Sequence, residues 1–262
     1  MFGARLPIDT DELEFQFATL KWLFLEFGDV TSDTPLVTPT RAWFSGVPPR
    51  DHAGVMALFG EVRNAAALGH WPCELRPGEA TRSIDGGNSM LIRHEGAAAP
   101  CGTFQIDDVG GEQRASISYN PAMIGDPEGL IATFAHELGH YLMATAKSDP
   151  PGGWDLHELH TDLVAVYLGF GIFMANGAKS FRQFQSGGGA GWEMGWRGYL
   201  SEGALVTALA LVERLAGRDP LATAPYLKDY LRSDVRRAAK ALARLHPDTQ
   251  RSVAEADLDA FA

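Results

Sequence analysis

Along residues 9–27, apolar side chains recur at steps of three and four, at Leu13, Phe17, Leu20, Phe24 and Phe27. That is the period of a helix with one face on a core. A Thr- and Pro-rich stretch over 28–50 reads as an irregular connection, and a second helix is predicted over about 51–68. Residues 72–101 carry Gly, Pro and Ala runs around a short strand, Ser89 to His94. Two alternating segments follow, Thr103-Phe104-Gln105-Ile106 and Ala115-Ser116-Ile117-Ser118-Tyr119. The stretch between them contains Asp107-Asp108-Val109-Gly110-Gly111, so the pair is predicted to form a hairpin.

From Asp126 onward the pattern turns helical, with elements near 127–146, 156–175, 201–216 and 234–245. Ser186-Gly187-Gly188-Gly189-Ala190-Gly191 lies between the second and third of these. Its composition suits a flexible surface connection or, on a sharper reading, a flap beside a cleft. No internal repeat or linker interrupts the chain. The expected architecture is therefore α+β, a single domain over 1–262, with a mixed helical region over 1–100, a core over 101–176, and the Gly-rich loop with C-terminal helices over 177–262.

With 45% hydrophobic and 21% charged residues, the 262-residue chain has the makings of a folded core and not of a disordered one. Its 22 basic and 33 acidic residues give a net charge of −11, which argues against a nucleic-acid backbone or an anionic membrane as main partner. Arg236, Arg237, Lys240 and Arg244 share one predicted helix, but they read as a solvated face. Cys73 and Cys101 cannot make a disulfide framework and are expected to be reduced thiols. The start of the chain meets acids at Asp9, Asp11, Glu12 and Glu14 instead of an apolar signal core. The longest apolar run, Leu163 to Ala175, is shorter than the roughly 20 residues of a membrane span. A soluble, cytoplasmic protein is the expectation.

One composition count is uneven. Of 8 His, four fall between positions 136 and 160: His136, His140, His157 and His160. His136-Glu137-Leu138-Gly139-His140 fits H-E-x-x-H on a well-signalled helix. Asp126 can cap it, Pro127 suits its first position, Glu128 complements its positive end, and Leu130, Phe134, Leu138 and Leu142 form an apolar stripe. At about 100° per residue, His136 and His140 lie roughly 40° apart and can reach one ion, while Glu137 flanks it without having to bind. Neutral imidazoles leave Zn²⁺ acidic enough to activate water, and a nearby carboxylate can take the proton.

A catalytic zinc needs a third protein ligand. In Trp154-Asp155-Leu156-His157-Glu158-Leu159-His160-Thr161-Asp162 a second helix starts near Asp155 and cannot present all its candidates to one metal. Glu158 and Asp162 share a face that continues through the small residues Thr161, Ala165 and Gly169, which would let this helix approach the first near Gly139. Glu158 is thus assigned as third ligand and Asp162 as the acceptor that orients a ligand His. His157 is the alternative ligand, and His160 is placed on the core side.

His136-Glu137-x-x-His140, 17 intervening residues, then Glu158-x-x-x-Asp162 resembles the gluzincin pattern of zinc metallopeptidases. A looser likeness to bacterial zincin-like proteins extends over roughly 103–216. The resemblance implies a zincin-like fold, with an edge hairpin before the metal-binding helix. It also implies Zn²⁺ as cofactor and a peptide or protein substrate lying along the free edge of Ala115 to Tyr119. Such peptidases often supply a later His or Tyr to steady the oxyanion. After His160 this chain has only His246, at a predicted helix end, so Tyr199 and Arg197 are the substitute donors. The site alone leaves open a zinc hydrolase of a non-peptide bond or a non-catalytic peptide- or partner-binding protein.

Overall fold

The computed structural model describes residues 5–78, 90–91, 101–109, 112–185 and 199–261. Its architecture is α+β. The first predicted helix is α1 (Thr10–Phe27), where Asp9 and Glu12 form a reciprocal capping box. The second is α2 (His52–Ala65), capped by Asp51. The strands β1 (Cys73–Pro77), β2 (Met90–Leu91), β3 (Gly102–Val109) and β4 (Glu112–Tyr119) form one mixed sheet in the order β1-β4-β3-β2. β3 and β4 are the predicted hairpin, paired antiparallel from Gly102 opposite Tyr119 to Val109 opposite Glu112. Of the short strand expected over Ser89 to His94, the described residues include Met90 and Leu91, paired with Ile106 and Gln105 of β3.

The edge position expected for this hairpin is corrected by the register. β1 runs parallel to β4, with Cys73 opposite Ala115 and Pro77 opposite Tyr119. β4 is therefore interior, its backbone already laddered on both sides, and Ala115 to Tyr119 has no free edge to receive a peptide. β1 escapes a pattern search because only Leu75 of its five residues is buried and it ends in a proline.

Helices cover the sheet. Ile117 and Tyr119 of β4 are buried, and Tyr119 meets Phe134 edge to face at 6.3 Å. Phe134 belongs to α3 (Pro127–Met143), whose predicted stripe, Leu130, Phe134, Leu138 and Leu142, is buried throughout. α4 (His157–Ala165) follows a short 3₁₀ turn, Trp154–Leu156, and passes through a π turn, Val166–Phe170, into α5 (Gly171–Gln185). The break sits at Gly169, whose φ of 98° is a left-handed conformation open to glycine. The Pro35 carbonyl occupies the place a Cβ would take there, and the Val37 N–H donates to the Gly169 carbonyl at 3.0 Å. The run from Trp154 to Lys179 is long and apolar enough to cross a membrane, but 83% of its most apolar window is buried inside this protein. α6 (Glu202–Leu215), α7 (Arg232–Leu245) and α8 (Thr249–Ala254) complete the helical half. One cluster of buried side chains extends from Ile8 to Val253. Cys73 and Cys101 are free thiols, and burial raises the Cys101 thiol to about 12.

Candidate metal centre

The site begins with how α3 is started and how closely α4 can approach it. The Asp126 carboxylate accepts the Gly129 N–H and Pro127 occupies the first turn, as the sequence signals. One helical turn brings the rings of His136 and His140 to a centroid separation of 4.7 Å. Gly139, on the facing side, has no Cβ; one placed there would lie 3.0 Å from both Cγ2 and the carbonyl oxygen of Thr161. Of the small residues expected to permit this approach, Thr161 meets Gly139 together with Val164, whereas Gly169 packs against the Pro35 carbonyl.

That approach delivers Glu158. Its Oε2 lies 3.0 Å from Nε2 of His136 and 3.7 Å from Nε2 of His140. Ligand atoms held at about 2.0–2.2 Å around a tetrahedral zinc sit roughly 3.3 Å from one another, the middle of that interval. All three ligand atoms fall within 4.8 Å of one another. His136 and His140 are 1% and 2% exposed, while Glu158, at 17%, is the most exposed of the three. Two imidazole nitrogens and one carboxylate oxygen, gathered under burial, form a donor set that fits Zn²⁺.

Asp162, 1% exposed, anchors the cluster from behind. The Nδ1–H of His136 donates to its Oδ1 at 3.0 Å, and the Leu200 N–H donates to its Oδ2 at 2.8 Å. This is the orienting contact the spacing predicts, plus a link to the start of α6 that the spacing does not. Sequence reading also missed Thr161 as a polar partner: its Oγ1 is 3.1 Å from Nδ1 of His140. A small residue on a packing face gives no pattern that separates a hydroxyl with a task from one that only fits.

The charge states follow from burial and neighbours. Burial opposes a charged His136, but hydrogen bonds to Asp162 and Glu158 outweigh it and raise its pKa to about 10. Burial likewise works against ionised Glu158, yet His136 and His157 hold its carboxyl well below the usual range. Glu137 has no such help. Burial raises it to about 8, against the pull of His136 and with the push of Glu158. Its Oε2 has no hydrogen-bond partner among the described residues.

The other described candidates lie around this cluster. His157, the alternative ligand, lies on the outer side of Glu158. Its Nδ1 is 2.8 Å from the Trp154 carbonyl and its Nε2 is 3.1 Å from Oε1 of Glu158. His160 is fully buried, with Nδ1 3.1 Å from the Thr19 hydroxyl and Nε2 2.9 Å from the Pro151 carbonyl; this is the core side expected of it. Tyr199 sets its ring 5.1 Å from that of His136. Arg197 and the Gly-rich loop over 186–191 lie outside the described residues. His246 ends α7 and contacts Ser252 at 3.0 Å.

The chain matches no protein-family model, no curated protein and no solved structure.

Proposed function

We propose that this protein is a zinc-dependent metallopeptidase, a zincin-like hydrolase of the gluzincin type. In it His136, His140 and Glu158 would hold Zn²⁺ and Glu137 would act as general base. The observation that carries this reading is Glu137: a buried carboxylate beside the ligand cluster, with one oxygen lacking a hydrogen-bond partner among the described residues and a pKa raised to about 8. For packing alone such a group is costly. Beside a dication, which favours the ionised form, an oxygen with no protein partner among the described residues is placed to take the proton of an attacking water. Zinc, when bound, supplies a Lewis acid that polarises a carbonyl and acidifies water. The chain does the rest: Asp162 orients His136, Glu158 supplies the one anionic ligand, and Glu137 takes the proton of the attacking water and returns it to the leaving nitrogen. Peptide bonds are preferred to other acyl bonds because His136-Glu137-x-x-His140 with Glu158-x-x-x-Asp162 resembles the gluzincin peptidases. The substrate approaches from the side of Glu158, the most exposed member of the cluster, and not along β4.

Metal analysis of three full-length proteins, followed by mass spectrometry of a diverse peptide library after incubation, tests this. The parent binds one zinc and cleaves. Glu137→Gln keeps its zinc and loses about 10²- to 10⁴-fold in turnover. Glu158→Ala fails to retain zinc through dialysis. Identical peptide maps from the parent and Glu137→Gln overturn the peptidase, and full zinc in Glu158→Ala overturns the ligand assignment.

A further inference from the structure

Thr161 makes three polar contacts with one hydroxyl, and their distances point to where its single proton goes. Oγ1 lies 2.7 Å from the carbonyl oxygen of His157, 3.1 Å from Nδ1 of His140 and 3.4 Å from Sδ of Met143. A carbonyl oxygen can only accept, so the single hydroxyl proton goes to His157, one turn back along α4, in the shortest contact of the three. A thioether has no proton to give. Only lone pairs of Oγ1 then face His140, and the contact with Nδ1 requires the proton to be on the imidazole: Nδ1–H of His140 donates to Oγ1 of Thr161. In that tautomer the other ring nitrogen, Nε2, carries no proton and lies on the side where Glu158 and His136 converge.

We infer that Thr161 is a positioning residue for the metal centre: it fixes His140 in the tautomer whose Nε2 can bind metal. This rests on the metal reading proposed above and names a part that neither the motif nor its spacing identifies. Without the hydroxyl, the opposite tautomer gains access, and its Nε2–H stands where a metal ion must bind. α4 would then supply the anionic ligand at Glu158 and the two imidazole anchors at Thr161 and Asp162, all within five consecutive residues. The anchors differ in kind. His136 leans on a carboxylate and His140 on a neutral hydroxyl that is itself held in place by the helix backbone.

The same side chain also packs through Cγ2 against Gly139, so the test must separate the two tasks. Thr161→Val keeps the methyl contact and removes the hydroxyl; Thr161→Ser keeps the hydroxyl and removes the methyl. Zinc dissociation constants of the full-length proteins are measured by competition with a chromophoric chelator, with thermal melting of the metal-free forms alongside. Thr161→Val is expected to bind zinc about 10- to 100-fold more weakly than the parent, and Thr161→Ser within about threefold of it, a serine hydroxyl having the same donor and acceptor capacity. If Thr161→Val does not fold, Thr161→Ala replaces it as the variant without a hydroxyl. The inference is overturned if removing the hydroxyl leaves zinc affinity unchanged, or if Thr161→Ser loses as much as Thr161→Val. A parent protein that takes up no zinc overturns the metal reading and this inference together, whereas tight zinc in both parent and Thr161→Val overturns this inference alone.

Discussion

Asp162 uses both of its oxygens on buried donors, one from the imidazole of His136 and one from the backbone of Leu200. No neutral isostere can do this. An asparagine has one oxygen and one NH₂ group: with its oxygen kept on the Leu200 N–H, its own N–H meets the Nδ1–H of His136 unless that ring moves its proton to Nε2, the nitrogen a metal would need. Asp162→Asn is therefore expected to destabilise the metal-free protein by about 1–3 kcal/mol in urea unfolding and to weaken zinc about 10- to 100-fold. At this scale much was legible. His136, Glu137, His140, Glu158 and Asp162 could be found because helical spacing alone sets which side chains share a face, and the structure brings those faces together. Thr161 was not legible as a polar partner. Its contact depends on the rotation of one hydroxyl toward a carbonyl, and residue type does not specify that rotation.

At the scale of elements, the site depends on two helices touching at a residue with no side chain. A leucine at 139 would have to displace the Thr161 backbone, not merely a flexible side-chain end. Gly139→Leu should push α4 outward and withdraw Glu158, costing about 1–3 kcal/mol of stability through overpacking. Metal analysis after dialysis should then find less than one zinc per chain. The face that carries Glu158 and Asp162 continues through the small Thr161, and that residue announced this contact in sequence. The break at Gly169 stayed hidden, because Leu163 to Ala175 is apolar without interruption and a π turn leaves no periodic trace. β1 stayed hidden for a related reason: one buried residue in five is too few to register as alternation.

At the scale of the whole molecule, α1 shows why the first hundred residues matter to a site that contains none of them. Its Thr19 contacts His160, its Trp22 indole donates to the Ser148 hydroxyl at 3.0 Å, and its Glu26 accepts the Lys147 N–H at 2.7 Å. These contacts brace α4 and the segment that joins it to α3. None was readable from sequence, since each joins positions more than 120 residues apart and periodicity reports only local order. Burial lowers the His160 pKa to about 4, below the ordinary histidine value of 6.5. The unfolded chain therefore takes the proton first. The stability contributed by neutral His160 is fully present above about pH 6.5 and is lost progressively down to about pH 4, on the order of 3 kcal/mol in all. His160→Gln should be less stable than the parent at pH 7, yet fall less between pH 7 and pH 4.5 when both are followed by urea unfolding.

The reach of that brace also bears on biosynthesis. Thr19 and His160 are 141 positions apart, and a chain lengthens at about 5–20 residues per second. The inward face of α1, with Phe15, Leu20, Trp22 and Leu23, thus leaves the ribosome on the order of ten seconds before the helix that covers it exists. During that interval it is an uncovered apolar surface, and Glu158, the ligand that α4 would supply, has not yet been made.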